Sequence, residues 1–374
     1  MSATTMDPFS CFGSDDDAEE DEEGESILGN DDDEHTTLQM KQHSRNLIDR
    51  SNAAMYSNDA THPPPAFLHS PNYKVVDIEN AGKGLCALKA FRVGDEVLRE
   101  FAAMRIPNQQ AATTQEEADR MHGSAVQRAF DNLHPTTRRD MLQLSSCEEA
   151  PEDMTPVGIY QTNSYRLGDN EPYGGLFLTT ARMNHSCRPN CHHFWRADLK
   201  QQLVFAARDI AIGEELTTTY GPPLCFDTAE RRAYLMERFS FLCQCEMCRQ
   251  GNLDGDDDRM MKMDAMREDI SLYAASGNPD AAMQAVEQCL ALLREQRLDT
   301  PALMKPILHS GYQIAMGKLG DKALARSYLV RELAAVQHSE GADSPRAIEV
   351  QRIINGIVLD TTSIPKQAAD SYTA

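Results

Sequence analysis

Ten consecutive residues, Arg182-Met183-Asn184-His185-Ser186-Cys187-Arg188-Pro189-Asn190-Cys191, constrain the fold of this 374-residue chain more than any other stretch. They lie between an apolar run, Gly175-Leu176-Phe177-Leu178, and a strand-like segment, Leu203-Val204-Phe205-Ala206-Ala207. Asn and Ser compete for their own backbone, and Pro189 stops a helix from continuing. A polar stretch between apolar flanks needs internal hydrogen-bond partners, as in a satisfied buried turn, or a ligand.

Two later segments bear on that choice. Gly213-Glu214-Glu215-Leu216-Thr217-Thr218-Thr219-Tyr220 reads as a turn feeding a Thr-rich strand that ends in Tyr, and Cys243-Gln244-Cys245-Glu246-Met247-Cys248 follows soon after. In this order the three segments resemble the SET-domain protein lysine methyltransferases, with their NHSCxPN, GEEL…Y and post-SET CxCxxC motifs. The resemblance covers about residues 73 to 250, just under half the chain. It implies an α+β fold: short β-sheets with a helical insert, a zinc-bound post-SET segment, and a following all-α domain of helical hairpins.

The formal charge of -22 is unevenly placed. Fourteen Asp and Glu precede residue 35, with no Lys or Arg among them, so the rest of the chain carries -22 + 14 = -8. Nonspecific nucleic-acid binding needs a basic face, which this balance does not supply. No run approaches the ~18 apolar residues of a membrane span, and no secretory signal is visible at the N-terminus. Ten Cys are too sparse for a disulfide scaffold, and the tight cluster points to a metal in a reducing compartment.

The expected layout begins with an acidic tail over 1–70, whose repelling charges and few large apolar residues read as disordered. Such a tail is either a solubilising segment or a lure for basic partners. A SET domain over 73–222 follows, with a helical insert at about 105–150, then a post-SET zinc segment over 223–250, an all-α domain over 259–358 and a flexible tail over 359–374.

Tyr73-Lys74-Val75-Val76-Asp77-Ile78 reads as a strand, and Gly82-Lys83-Gly84-Leu85-Cys86-Ala87 after it fits the GxGxxA dinucleotide fingerprint. That motif needs a helix next, of about a dozen residues. Here a turn at Val93-Gly94-Asp95 leads instead into another strand, so a Rossmann unit is rejected. The stretch resembles the opening of the SET fold, whose GKGL turn brings backbone against the methyl donor; Gly permits the approach because it has no side chain.

Residues 105–150 read as helical, with a capping box at Thr114 and Glu117 and a second short helix from Pro135 through Met141 and Leu144. From Val157 short strands and turns are expected. The insert resembles that of the SET and MYND family, but only Cys86 and Cys147 lie between 73 and 186, so the MYND zinc module is absent. A Gly/Asp-rich break at Gly251–Asp258 precedes four or five antiparallel helices of roughly 14 to 18 residues, capped at Asn278, Thr300, Asp321 and Ser344. These resemble the tetratricopeptide-like domain of that family, although no clean 34-residue repeat is visible.

The resemblance assigns roles residue by residue. Tyr220 is the catalytic tyrosine. Asn184 and His185 hold the methionine and adenine parts of S-adenosylmethionine, and Lys83, Gly84 and Leu85 complete that pocket. Tyr165, in Thr162-Asn163-Ser164-Tyr165, lines the substrate lysine channel, unless it is a half-buried core residue. Many members carry a second Tyr four residues before the first post-SET Cys; here that position is Phe239, which keeps the aromatic wall and loses a hydroxyl.

Zinc prefers four tetrahedral ligands, and Cys243, Cys245 and Cys248 supply three. By resemblance the fourth is Cys187, with Cys191 and Cys225 as rivals. Lysine, pKa ~10.4, is neutral in only about one molecule in 2,500 at pH 7, so a desolvated aromatic channel must favour its uncharged form. The expected enzyme is an S-adenosylmethionine-dependent protein lysine N-methyltransferase. It would act as a monomer on a histone or other basic protein in the cytoplasm or nucleus, with no membrane or sequence-specific nucleic-acid partner. The competing reading is a SET-fold scaffold without turnover.

Overall fold

A computed structural model describes residues 70–108, 114–147, 155–168, 171–221, 227–251 and 255–357. The expected acidic tail up to residue 69, the C-terminal tail and Cys225 lie outside these residues. The described chain falls into two compact units: residues 101–181, and residues 71–100 with 182–357.

The second unit contains two sheets. Strands β1 (Tyr73–Ile78), β2 (Gly82–Ala87), β7 (Asn184–His185) and β10 (Glu215–Thr218) form one, in the order β1-β2-β10-β7. β3 (Glu96–Phe101), β8 (Cys191–Arg196) and β9 (Gln201–Ala206) form the other, in the order β3-β9-β8. The expected GKGL turn is itself strand: β2 pairs antiparallel with β1, Gly84 opposite Val76, and with β10, Leu216 opposite Leu85. The actual turn precedes it, using Asn80 at φ 59° and Gly82 at φ 69°, positions that Asn and Gly tolerate. No helix follows β2, in keeping with the rejected Rossmann reading.

Alternating apolar residues of both sheets meet in one core, where Leu85, Phe91, Val97, Met183, Val204 and Leu216 are buried together. β7 runs parallel to β10, with Asn184 opposite Thr217 and His185 opposite Thr218. This short pairing brings the polar decapeptide alongside the strand that leads to Tyr220.

Among the described residues of the same unit the α-helices that follow are α4 (Thr228–Phe239), α5 (Glu246–Gln250), α6 (Asp256–Ala275), α7 (Pro279–Glu295), α8 (Pro301–Ile314), α9 (Lys322–Glu340) and α10 (Pro345–Gly356), with a π-helical turn over Ala315–Leu319 after α8. From α6 to α10, each packs on the next. Their lengths run from 12 to 20 residues, a wider spread than periodicity suggested. α6 begins at Asp256, inside the expected break, because acidic groups at 256–258 complement the positive end of a helix. Asn278, Asp321 and Ser344 cap through their side chains, whereas Thr300 makes no such bond.

The other unit contains β4 (Met104–Pro107), α1 (Gln115–Asp131), α2 (Pro135–Met141), α3 (Pro156–Asn163), β5 (Ser164–Arg166) and β6 (Tyr173–Leu176), with strand order β4-β6-β5. Residues 104–107 are therefore strand, paired to β6, and not the start of the helical insert. Thr114 caps α1 as expected, its hydroxyl accepting from the Glu117 amide at 3.2 Å. Helix α3 occupies a segment expected to be strand and turn. Thr155 accepts from the Gly158 amide at 3.0 Å, Pro156 opens the helix, and Ile159 and Tyr160 enter the core. Among the described residues no helix is long and apolar enough to cross a membrane.

Candidate active site

Tyr220 lies two residues beyond β10 and is clasped at both ends by the decapeptide. Its amide donates to His185 Nδ1 at 3.0 Å, and its hydroxyl donates to the Met183 carbonyl at 2.8 Å. Its ring lies 5.5 Å from that of His185, 5.1 Å from Phe239 and 6.3 Å, edge-on, from Phe241. Phe239 ends α4, and Ser240 reverses the chain there at φ 56°, which turns Phe241 back toward His185 at 6.1 Å. Four rings thus gather at Tyr220. Sequence reasoning named three of them and gave Phe241 no role.

Around Gly84 the approach is closer still. A Cβ there would stand 2.8 Å from Glu215 Oε1, 2.9 Å from Asn184 Nδ2 and 2.6 Å from the Ile78 side chain. Asn184 Nδ2 donates to Glu215 Oε1 at 2.8 Å, so an amide and a carboxylate flank the bare glycine backbone. Lys83 turns away to pair with Asp77 at 2.5 Å across the β1–β2 ladder, and Leu85 is core. Glu215 had no expected role, because its approach to Gly84 comes from strand register.

Asn190, 1% exposed, joins the decapeptide to β10. Its Nδ2 donates to the Glu215 carbonyl at 2.7 Å and to Glu214 Oε1 at 3.0 Å, while its Oδ1 accepts from the Thr217 amide at 2.8 Å. The polar stretch thus finds internal partners for this residue, as a satisfied turn would.

Cys187, Cys243, Cys245 and Cys248 place their sulfurs within 4.8 Å of one another, Cys187 and Cys248 at 3.5 Å. A zinc tetrathiolate with Zn–S of about 2.3 Å has edges of about 3.8 Å, so the group lies roughly an ångström from that figure. Cys191 belongs instead to the sheet core, and burial pushes its thiol up. Hydrogen bonds from Cys187, Cys243 and Cys248 hold the Cys245 thiol below its ordinary range.

Two arginines of α4 frame the cluster. Arg232 donates to the Cys248 carbonyl at 2.8 Å and the Cys243 carbonyl at 3.3 Å. Arg231, 1% exposed, bonds Thr228 at 2.9 Å and Asp257 at 3.4 Å. Burial opposes its charge, yet Cys187, Cys248 and Asp257 together raise its pKa. A cation beside anionic sulfur suits a metal thiolate centre.

His185 connects the two groups. Its Nε2 is 3.3 Å from Cys187 Sγ, and enclosure of the ring by protein lowers its pKa to about 4, so the imidazole is neutral at pH 7. Tyr165, in the unit of residues 101–181, sits on β5 with its ring edge-on to Phe177 at 6.2 Å and its hydroxyl donating to the Thr180 carbonyl at 3.4 Å.

Residues 82–221 match the family model described as SET domain. Among similar proteins, histone-lysine N-methyltransferase set5 of Schizosaccharomyces pombe is 29% identical over 304 residues, 75% of this chain and 83% of that protein. SET domain-containing protein SmydA-8, isoform A, of Drosophila melanogaster is 31% identical over 176 residues, 46% of this chain and 34% of that protein. Histone-lysine N-methyltransferase SMYD3 of Homo sapiens is 38% identical over 82 residues, 22% of this chain and 18% of that protein.

Proposed function

With residues 82–221 identified as a SET domain, we propose that the protein is an S-adenosylmethionine-dependent protein lysine N-methyltransferase. The observation that carries this reading is the double clasp on Tyr220 by Met183 and His185, beside the Gly84–Asn184–Glu215 cradle. Bound S-adenosylmethionine supplies an electrophilic methyl on a sulfonium, open to direct displacement by an amine.

The chain's own residues do the rest. The Tyr220 hydroxyl donates its hydrogen bond to the Met183 carbonyl, so the phenol oxygen is left to act as an acceptor for the N–H of a lysine amine. That orients the nitrogen lone pair toward the methyl. The rings of Tyr220, Phe239 and Phe241 desolvate the amine and disfavour its ammonium form, which lowers the lysine pKa toward neutrality. Phe239 offers no second hydroxyl, so the amine has one fewer oxygen to bind there.

The fit of the donor rests on the cradle. The bare Gly84 backbone, the Asn184 amide and the Glu215 carboxylate offer complementary groups to an amino acid and a purine, and a Cβ at 84 would collide with both side chains. Zinc is proposed to be held by Cys187, Cys243, Cys245 and Cys248, tying the post-SET segment to the decapeptide. Helices α6 to α10 are read as tetratricopeptide-like hairpins supporting the sheets. The substrate is proposed to be a histone or another basic protein, met in the nucleus or cytoplasm; two of the relatives carry histone-lysine N-methyltransferase in their names.

Calorimetric titration with S-adenosylmethionine, followed by transfer of labelled methyl to a cell lysate, tests the reading. Donor binding with labelled protein is expected. Tight binding with no labelled protein would favour a scaffold without turnover.

A further inference from the structure

We propose that the His185 side chain is a positioning residue that fastens Tyr220 to the cysteine cluster, one ring nitrogen serving each. The inference rests on reading the four thiols as a zinc site and Tyr220 as the catalytic tyrosine.

Tyr220 lies two residues beyond the end of β10. The β7–β10 ladder ends where the Ser186 amide donates to the Thr218 carbonyl at 2.9 Å. Beyond it the Tyr220 amide donates to the ring of His185, so a side chain continues the tie where the ladder stops. That bond also fixes the tautomer. A backbone N–H can only donate, so Nδ1 carries the lone pair, and the proton of the neutral ring sits on Nε2. Nε2 faces Cys187 Sγ at 3.3 Å, so its N–H donates a hydrogen bond that a thiolate there would accept. One imidazole thus runs from the sulfur to the backbone of the catalytic residue, and a shift of Cys187 turns the ring and moves Tyr220. Zinc then does more than hold the post-SET wall: it sets the position of the phenol.

The two halves of the tie separate by substitution in the full-length, zinc-loaded protein. Asn keeps a carbonyl acceptor near the place of Nδ1 and does not reach the sulfur; Gln reaches the place of Nε2. In His185→Asn, zinc release to a chromophoric chelator is expected to quicken about tenfold, within the range for outer-shell partners of a metal ligand. The thiolate-to-metal band of its cobalt-substituted form shifts, while hydrogen exchange at the Tyr220 amide stays close to wild type. In His185→Gln the release rate and the cobalt band are retained, the Tyr220 amide exchanges about tenfold faster, and kcat falls with KM held. Stripping zinc from the wild type speeds exchange at Tyr220 but not at Leu216, which β2 holds.

Parallel loss of both properties in both variants, or no response at Tyr220 when the wild type is stripped, overturns the proposal, as does a wild type that binds no zinc. Should the zinc-loaded wild type transfer no methyl, the proposed activity falls, while the release and exchange measurements still decide the role of His185.

Discussion

Asn190 shows how much rests on one side chain. Its amide bonds two backbone groups and a carboxylate of the 214–217 segment, and all of them lose a partner in Asn190→Ala. Stranded buried polar groups cost about 1–3 kcal/mol each, so urea unfolding should show a loss of about 2–4 kcal/mol with the m-value unchanged. Tyr220→Phe removes one hydroxyl and leaves the amide clasp in place. Donor affinity should stay within about threefold, while methyl transfer drops by about a hundredfold or more, the size of a lost transition-state contact. His193, beside Thr218 at 3.3 Å, is half-buried, and desolvation of its ring lowers its pKa to about 4. The unfolded chain takes up this proton near pH 6.5 and the folded chain only near 4, so stability is intact above ~6.5 and falls as the pH drops between these values. Denaturant midpoints between pH 7 and pH 4 should show the decline, and His193→Gln should make it shallower, the remainder coming from His185 and His192, whose pKa values burial also lowers. Tyr220, Asn184 and Gly84 were legible because their motifs are local. Glu215 and Phe241 were not, since their places depend on strand register and on the reversal at Ser240.

At the scale of elements, α4 and the segment after it form a frame for the four thiols. Arg232 grips the carbonyls of Cys243 and Cys248, and Arg231 links α4 to the first turn of α6 through Asp257. Zinc analysis should find one equivalent in the wild type and in Cys191→Ser, and none retained through dialysis in Cys187→Ser, because a structural site needs all four ligands. Unchanged zinc in Cys187→Ser would remove that residue from the site. The CxCxxC spacing made three ligands readable in the sequence, and only resemblance pointed to Cys187, which lies 56 residues before Cys243. The missed helix α3 has a similar lesson. Thr155-Pro156 is a start signal in its own right, but strand-like Val157 and Ile159 obscured it, and tertiary burial of Ile159 and Tyr160 decided the outcome.

Across the larger unit, α9 and the turn after it are fastened to the β8–β9 sheet by particular contacts. Arg196, 2% exposed, pairs with Asp198 at 2.8 Å and with Asp343 at 3.0 Å in the turn between α9 and α10. Gly94, at φ 84°, lies so near His338 of α9 that a Cβ would stand 2.4 Å from the ring. Gly94→Ala therefore combines backbone strain with a clash, and thermal unfolding should show a midpoint several degrees lower. Helical periodicity and caps foretold the helices; the sheet they would cover was not legible, because Arg196 and Asp343 are 147 residues apart. All of this packing holds steady the place where an amine is expected to meet a methyl donor. The most direct test is amino-acid analysis of protein labelled by the enzyme and methyl-labelled S-adenosylmethionine. The label should be recovered as N-methyl-lysine with the wild type and be reduced by about a hundredfold or more with Tyr220→Phe. Label on another residue, or equal label with both enzymes, would contradict it.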